Sequence, residues 1–205
     1  EPVLLLGREW QLRPGAIASR GWEQDRLAAL HPLAEGGAAA VVATADGLMA
    51  RTLPKSALLC SVFPLENGQR LELAGFAEQL TEAGYARVLQ VEGVGQFAIR
   101  GGILDVFSPL MEKPVRCELF GDEIDSMGLF DPGTQRRVQN VTEALILPCA
   151  EVLPHLAEGG LPGLADAMEA QAKRLRRRQG TEKVVETILG DAQQLRGGVL
   201  PGGLD

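Results

Sequence analysis

Residues 95–132 read GQFAIRGGILDVFSPLMEKPVRCELFGDEIDSMGLFDP, and their alternation decides the architecture of the middle of the chain. Successive side chains on a strand point to opposite faces. In 115–120, Val115, Cys117 and Leu119 therefore share an apolar face, while Arg116, Glu118 and Phe120 share a mixed one. Gly121-Asp122 is a tight-turn signal. Running the strand across it pairs Leu119 with Ile124 and Arg116 with Met127, which adds Met127 to the mixed face. A second turn signal, Gly101-Gly102, gives another hairpin: Phe97, Ile99, Leu104 and Val106 on one face, Arg100, Ile103 and Asp105 on the other. A single bent strand would alternate in the same way.

The flanks have different patterns. From 1 to about 61 the order is strand (Val3 to Leu6), helix (Trp22 to Leu33, stopped by Pro32), strand (Ala38 to Ala43) and helix (Asp46 to Leu53). That order is the signature of parallel βαβ units, too few here to cover both faces of a sheet, so they are expected to be part of a larger α/β domain. From 62 to 149 the expectation is an antiparallel α+β module, with one helix over Leu71 to Gly84 and strands over 90–107, 115–120, 123–130 and 144–147. From 150 to 205 the chain turns helical: Leu164, Met168 and Leu175 share a face, Gly180 closes the first helix, and Thr181 caps a second carrying Val184, Val185, Ile188 and Leu189. Gly197 to Asp205 is glycine-rich and expected to fray.

Composition narrows the function. A net charge of -7 over 205 residues opposes diffuse attraction to nucleic acid. Apolar runs fall far short of the roughly 18 residues a membrane helix needs, and the opening lacks signal-peptide features. A start without Met reads as a piece cut from a longer protein. Cys60, Cys117 and Cys149 form no C-x-x-C pair, so reduced, packed cysteines of a cytoplasmic protein are expected. No Gly-Lys dipeptide exists to end a P-loop, and Gly93-Val94-Gly95 does not open a dinucleotide fingerprint. His31 and His155 each adjoin a proline without a ligand-spaced neighbour and are expected at the surface. Asp122, Glu123 and Asp125 diverge along a strand, which suits a turn better than acid–base catalysis. No catalytic residues, cofactor or metal are expected. The basic run Lys173, Arg174, Arg176, Arg177, Arg178 ends a helix, where cations complement the dipole; the alternative is a nucleic-acid contact.

Arginines and an exposed aromatic are typical of protein interfaces, so the mixed face is a candidate docking patch. The competing reading pairs Arg100 with Asp105 and Arg116 with Glu118, and tucks Phe120 under a loop.

The block 95–107, with Pro114-Val115-Arg116, Phe120-Gly121-Asp122-Glu123-Ile124-Asp125-Ser126, Phe130-Asp131 and Thr134-Gln135-Arg136, resembles the transcription-repair coupling factor (Mfd) family and, more distantly, UvrB. Weaker similarity covers Arg26-Leu27, Leu30, Gly68-Gln69, Ala83-Gly84-Tyr85 and Leu147-Pro148. The resemblance implies a degenerate UvrB-like α/β domain (1–61, with 150–205 as its helical return) interrupted by an inserted α+β domain (62–149) that binds UvrA. It carries the UvrA-contacting role to Arg100, Arg116 and Phe120. It also implies that RNA polymerase, DNA and the ATP-driven motor engage other parts of a full-length protein. On this reading Arg116→Glu or Phe120→Ala would abolish UvrA binding with the melt nearly unchanged.

Overall fold

A computed structural model describes residues 2–7, 21–37 and 40–199. Two short strands, β1 (Pro2–Leu5) and β2 (Ala40–Ala43), pair in parallel around helix α1 (Gly21–Glu35). The helix buries Leu27, Ala29 and, unexpectedly, Arg26 and His31. His31 is thus not a surface residue: it lies one turn beyond Leu27 on the inward side, with Glu35 3.7 Å away. Pro32 does not stop the helix, which runs on to Glu35. Gly36, at φ +81°, ends it, and the Gly37 N–H donates to the Pro32 carbonyl. The single helix expected over 46–53 is instead α2 (Ala45–Met49), then α3 (Lys55–Cys60) after Pro54. The residue before a proline disfavours helical backbone, which accounts for the break.

Between 62 and 149 lies a six-stranded sheet in the order β4 (Ala86–Arg87), β5 (Gln96–Arg100), β6 (Ile103–Val106), β7 (Val115–Phe120), β8 (Glu123–Phe130), β9 (Arg137–Val141). Only β4 and β5 run parallel. The hairpin at Gly101-Gly102 forms as read, because Gly101 takes φ +60°, which a side chain rarely tolerates. One face carries Phe97, Leu104, Val106, Val115, Cys117, Ile124 and Met127 into the main core. Helix α4 (Leu73–Glu82) covers it with Phe76, Ala77 and Leu80, its first turn held by Glu72, whose carboxylate accepts from the Ala74 and Gly75 N–H groups. The small antiparallel pair β3 (Phe63–Glu66) and β10 (Glu143–Ile146) adds Leu65 and Ile146. Cys117 and Cys149 are buried and in no disulfide, with the Cys117 pKa pushed up to about 12 mainly by burial; Cys60, expected to be packed, is exposed.

Met127 departs from the sequence reading. A register shift between Glu118 and Leu119 leaves Leu119 opposite Ile124 but sets Cys117, not Arg116, opposite Met127. The bulge changes the parity, so Met127 points into the core at 1% exposure and Gly128 faces Arg116.

The chain divides into two compact units, Glu1–Glu151 and Val152–Asp205. The second holds a short 3-10 turn (Pro154–Leu156) and a helical hairpin, α5 (Gly160–Leu175) and α6 (Glu182–Arg196). Ala165, Ala192 and Leu195 form its seam. Gly180 takes a left-handed backbone but does not close α5, which ends at Leu175 with Arg176 as its C-cap. Thr181 stands at the N-cap, but its hydroxyl donates back to the Leu175 and Arg178 carbonyls rather than accepting from α6. Val184, read as part of the apolar stripe, is half exposed; Val185 is buried. Residues 200–205 of the glycine-rich tail lie outside the described residues. No helix of the described residues is long and apolar enough to cross a membrane.

Candidate docking site

The second face of the six-stranded sheet is built from Ala98, Arg100, Ile103, Asp105, Arg116 and Glu118, one parity class read across three paired strands. Among the described residues it is covered at one end only. There Val91 packs with Ala98, Phe107 and Phe130, flanked by Val88 and Val94, so the 88–95 loop closes a small satellite core.

At the border of that core sits a compact charge cluster. Asp105 has a fully buried side chain, and both its oxygens are occupied. Arg116 Nε donates to Oδ1 at 2.7 Å and its Nη2 to Oδ2 at 2.8 Å, while Arg100 Nη2 donates to the same Oδ2 at 2.6 Å. The Arg116 guanidinium also lies 4.5 Å from the Phe130 ring centroid and donates to the Gln135 carbonyl at 3.3 Å. A forked, two-point grip on a carboxylate is the strongest common form of ion pair. The Asp105 hydrogen bond accordingly raises the Arg116 pKa above the ordinary arginine value. Gln135 is held with φ +60° in the 131–136 turn, where its side chain donates to the Val91 and Pro132 carbonyls.

The three residues singled out by sequence differ in accessibility. The Phe120 ring stands 85% exposed at the end of β7, beside the β7–β8 turn. The Arg100 side chain is 44% exposed, that of Arg116 only 16%. The competing reading was therefore right for Arg100 and wrong for the other two: Arg116 pairs with Asp105 rather than Glu118, and Phe120 is not tucked under a loop. Glu118 instead meets Arg137 at 3.0 Å.

Residues 63–151 match the family model of the UvrB interaction domain. That segment is similar to the UvrB interaction domain, which the family model describes. Over most of its length the chain is similar to transcription-repair-coupling factors: 38% identical to that of Myxococcus xanthus over 152 residues, which is 74% of this chain and 12% of that protein. The Bacillus subtilis factor is 30% identical over 185 residues, 89% of this chain and 16% of that protein. The Escherichia coli factor is 36% identical over 127 residues, 62% of this chain and 11% of that protein. The chain thus spans a small part of these relatives, between 11% and 16% of their length.

Within the matched segment 63–151, two residues of the charged face escaped the sequence reading as site groups. Arg137 crosses the sheet to reach Glu118, passing so close to Gly128 that a Cβ there would fall 2.8 Å from the arginine's Cδ. The clue was a glycine inside a strand, which often marks a close approach. Asp105 was placed on the correct face, but alternation could not reveal that it is buried between two arginines. No group of three or more His, Cys, Asp or Glu among the described residues could hold a metal.

Proposed function

We propose that the chain is a docking fragment of a transcription-repair coupling factor, and that residues 62–149 bind UvrA through Arg100, Arg116 and Phe120. The observation that carries this reading is the Phe120 ring, left 85% exposed on the same strand as a guanidinium that shares a buried carboxylate with Arg100. Exposed aromatics next to arginine are strong binding anchors. Two guanidinium groups and one carboxylate leave the cluster with net positive charge, which suits an acidic partner surface with an apolar pocket for the ring. On this reading residues 1–61 and 150–205 are a degenerate UvrB-like α/β domain interrupted by the 62–149 module. Leu4 and Val42, register partners on the β1–β2 pair, are both more than half exposed, an apolar face that suits strands belonging to a larger α/β domain. In the cytoplasm the fragment would serve a full-length, ATP-driven DNA translocase that displaces stalled RNA polymerase, itself contributing recruitment and no catalysis. Titrating the 205-residue chain with purified UvrA should give saturable binding; none at micromolar concentrations would remove the assignment.

A second reading is favoured by one observation: Lys173, Arg174, Arg176, Arg177 and Arg178 are all solvent-exposed. If they contact duplex DNA, affinity should fall steeply as salt rises and vanish when the five are neutralised. Weak, salt-insensitive binding would dispose of it.

A further inference from the structure

The geometry points to Asp105 as the positioning residue of the docking face, a buried carboxylate that sets both arginines for an acidic group of the partner. This role rests on the docking reading and deepens it. Asp105 cannot touch a partner itself, because its side chain is fully buried. What it can do is fix the groups that would. Its Oδ2 accepts from Arg100 and Arg116 together, and its Oδ1 from Arg116 alone. The two cations come from β5 and β7, and β6 between them supplies the carboxylate that they share.

Without that carboxylate the two guanidinium groups would repel each other. Arg100 in particular would lose its only hydrogen-bonded partner among the described residues. A free arginine samples many rotamers, and binding must then freeze it; a side chain already held in place avoids that cost. The division of labour follows from exposure. Arg100, at 44%, reaches outward, and Arg116, at 16%, is gripped by Asp105, Phe130 and Gln135. The carboxylate neutralises only one of the two cations, so the preset pair still attracts an Asp or Glu side chain.

The test is a mutant cycle on the 205-residue chain, read by calorimetric titration with purified UvrA. Asp105→Asn should weaken binding about tenfold or more. Because Asp105 acts partly through Arg100, Asp105→Asn combined with Arg100→Ala should lose far less than the product of the two single losses. A combined loss equal to that product, or wild-type binding by Asp105→Asn, would overturn the role. Guanidinium proton resonances of the wild-type chain give a readout independent of UvrA and of how well Asp105→Asn folds. Both Arg100 and Arg116 should show separated, slowly exchanging signals at neutral pH, whereas averaged, free-like signals for Arg100 would refute the shared grip. If the wild-type chain does not bind UvrA at all, the docking reading falls and this role with it. Binding with an additive cycle removes the role of Asp105 alone.

Discussion

Arg116→Glu is expected to lose UvrA binding and much of the fold's stability together, whereas Phe120→Ala should lose binding alone. The sequence reading put both substitutions on an open surface and expected both to leave the melt nearly unchanged. Burial separates them. Arg116 supplies two of the three hydrogen bonds that compensate the buried Asp105 carboxylate, and it stacks on Phe130. Replacing it with glutamate leaves Asp105 with only the half-exposed Arg100 and sets a second negative charge beside it. Breaking a buried pair in this way costs about 3–5 kcal/mol. For a chain of this size each kcal/mol moves the melt by roughly 2–4 °C, so a fall on the order of 10 °C is expected. Phe120, 85% exposed, buries almost nothing in the free chain, so its truncation should change stability by less than about 0.5 kcal/mol. As a central aromatic anchor its loss should cost about 2–4 kcal/mol of binding, a factor of roughly 30 to 1,000. Thermal melts and calorimetric titrations of the two variants decide the matter. A wild-type melt for Arg116→Glu would mean that Asp105 does not depend on it, and wild-type affinity for Phe120→Ala would take the ring out of the interface.

That contrast also marks how far the sequence could be read. Alternation assigned the faces of 97–106 and of 115–119 correctly, because the first is a two-strand hairpin closed by Gly101-Gly102, the second lies in β7, and their inward residues are Phe, Ile, Leu, Val or Cys. It failed at Met127 because a bulge inserts a residue, and parity carries no record of where an insertion falls. Strand β9 was missed because RVQNV sits at a sheet edge with most of its side chains exposed, so no apolar period marks it. The strand at 63–66 contains Pro64, which argues against a central strand and is tolerated in a two-stranded pair. The charge cluster was half legible. Residue types and parity put Arg100, Asp105 and Arg116 on one face, but the depth of Asp105 depends on Val91 and Phe130 closing over that end of the sheet. Val91 comes from a loop without periodicity, and Phe130 from the far end of β8.

The second large effect is expected at Arg26, a position that alternation and charge patterning did not single out as buried. Arg26→Ala should destabilise the 205-residue chain by about 3–5 kcal/mol. Arg26 is 2% exposed, and its Nε donates to both Glu151 oxygens at 3.1 and 3.0 Å. Its Nη1 donates to the Gly47 carbonyl at 3.0 Å, and its guanidinium lies 5.4 Å from the Trp22 ring centroid. Its Nη2 is buried without a hydrogen-bond partner, so the charge is desolvated more completely than it is compensated. Glu151 shares the problem: burial pushes its pKa up while Arg26 pulls it down, and Glu23, which accepts from the Glu151 N–H at 2.8 Å, adds a second negative charge. Removing Arg26 leaves only the influences that raise the Glu151 pKa. A carboxyl whose folded pKa lies above its unfolded value contributes its full stability below the unfolded pKa and loses it as pH rises through the folded one. The deficit of Arg26→Ala relative to wild type should therefore be smaller near pH 4 than near pH 7, where Glu151 must carry its charge unpaired. Replacing both partners, Arg26→Met with Glu151→Leu, removes this buried ion pair and the orphaned Nη2 together, so its stability should match wild type or exceed it by up to about 4 kcal/mol. Melts of wild type and the two variants at both pH values test each part. A deficit unchanged between the two pH values would contradict the role given to the Glu151 charge, and a double variant as unstable as Arg26→Ala would show that shape, rather than charge, sets the cost.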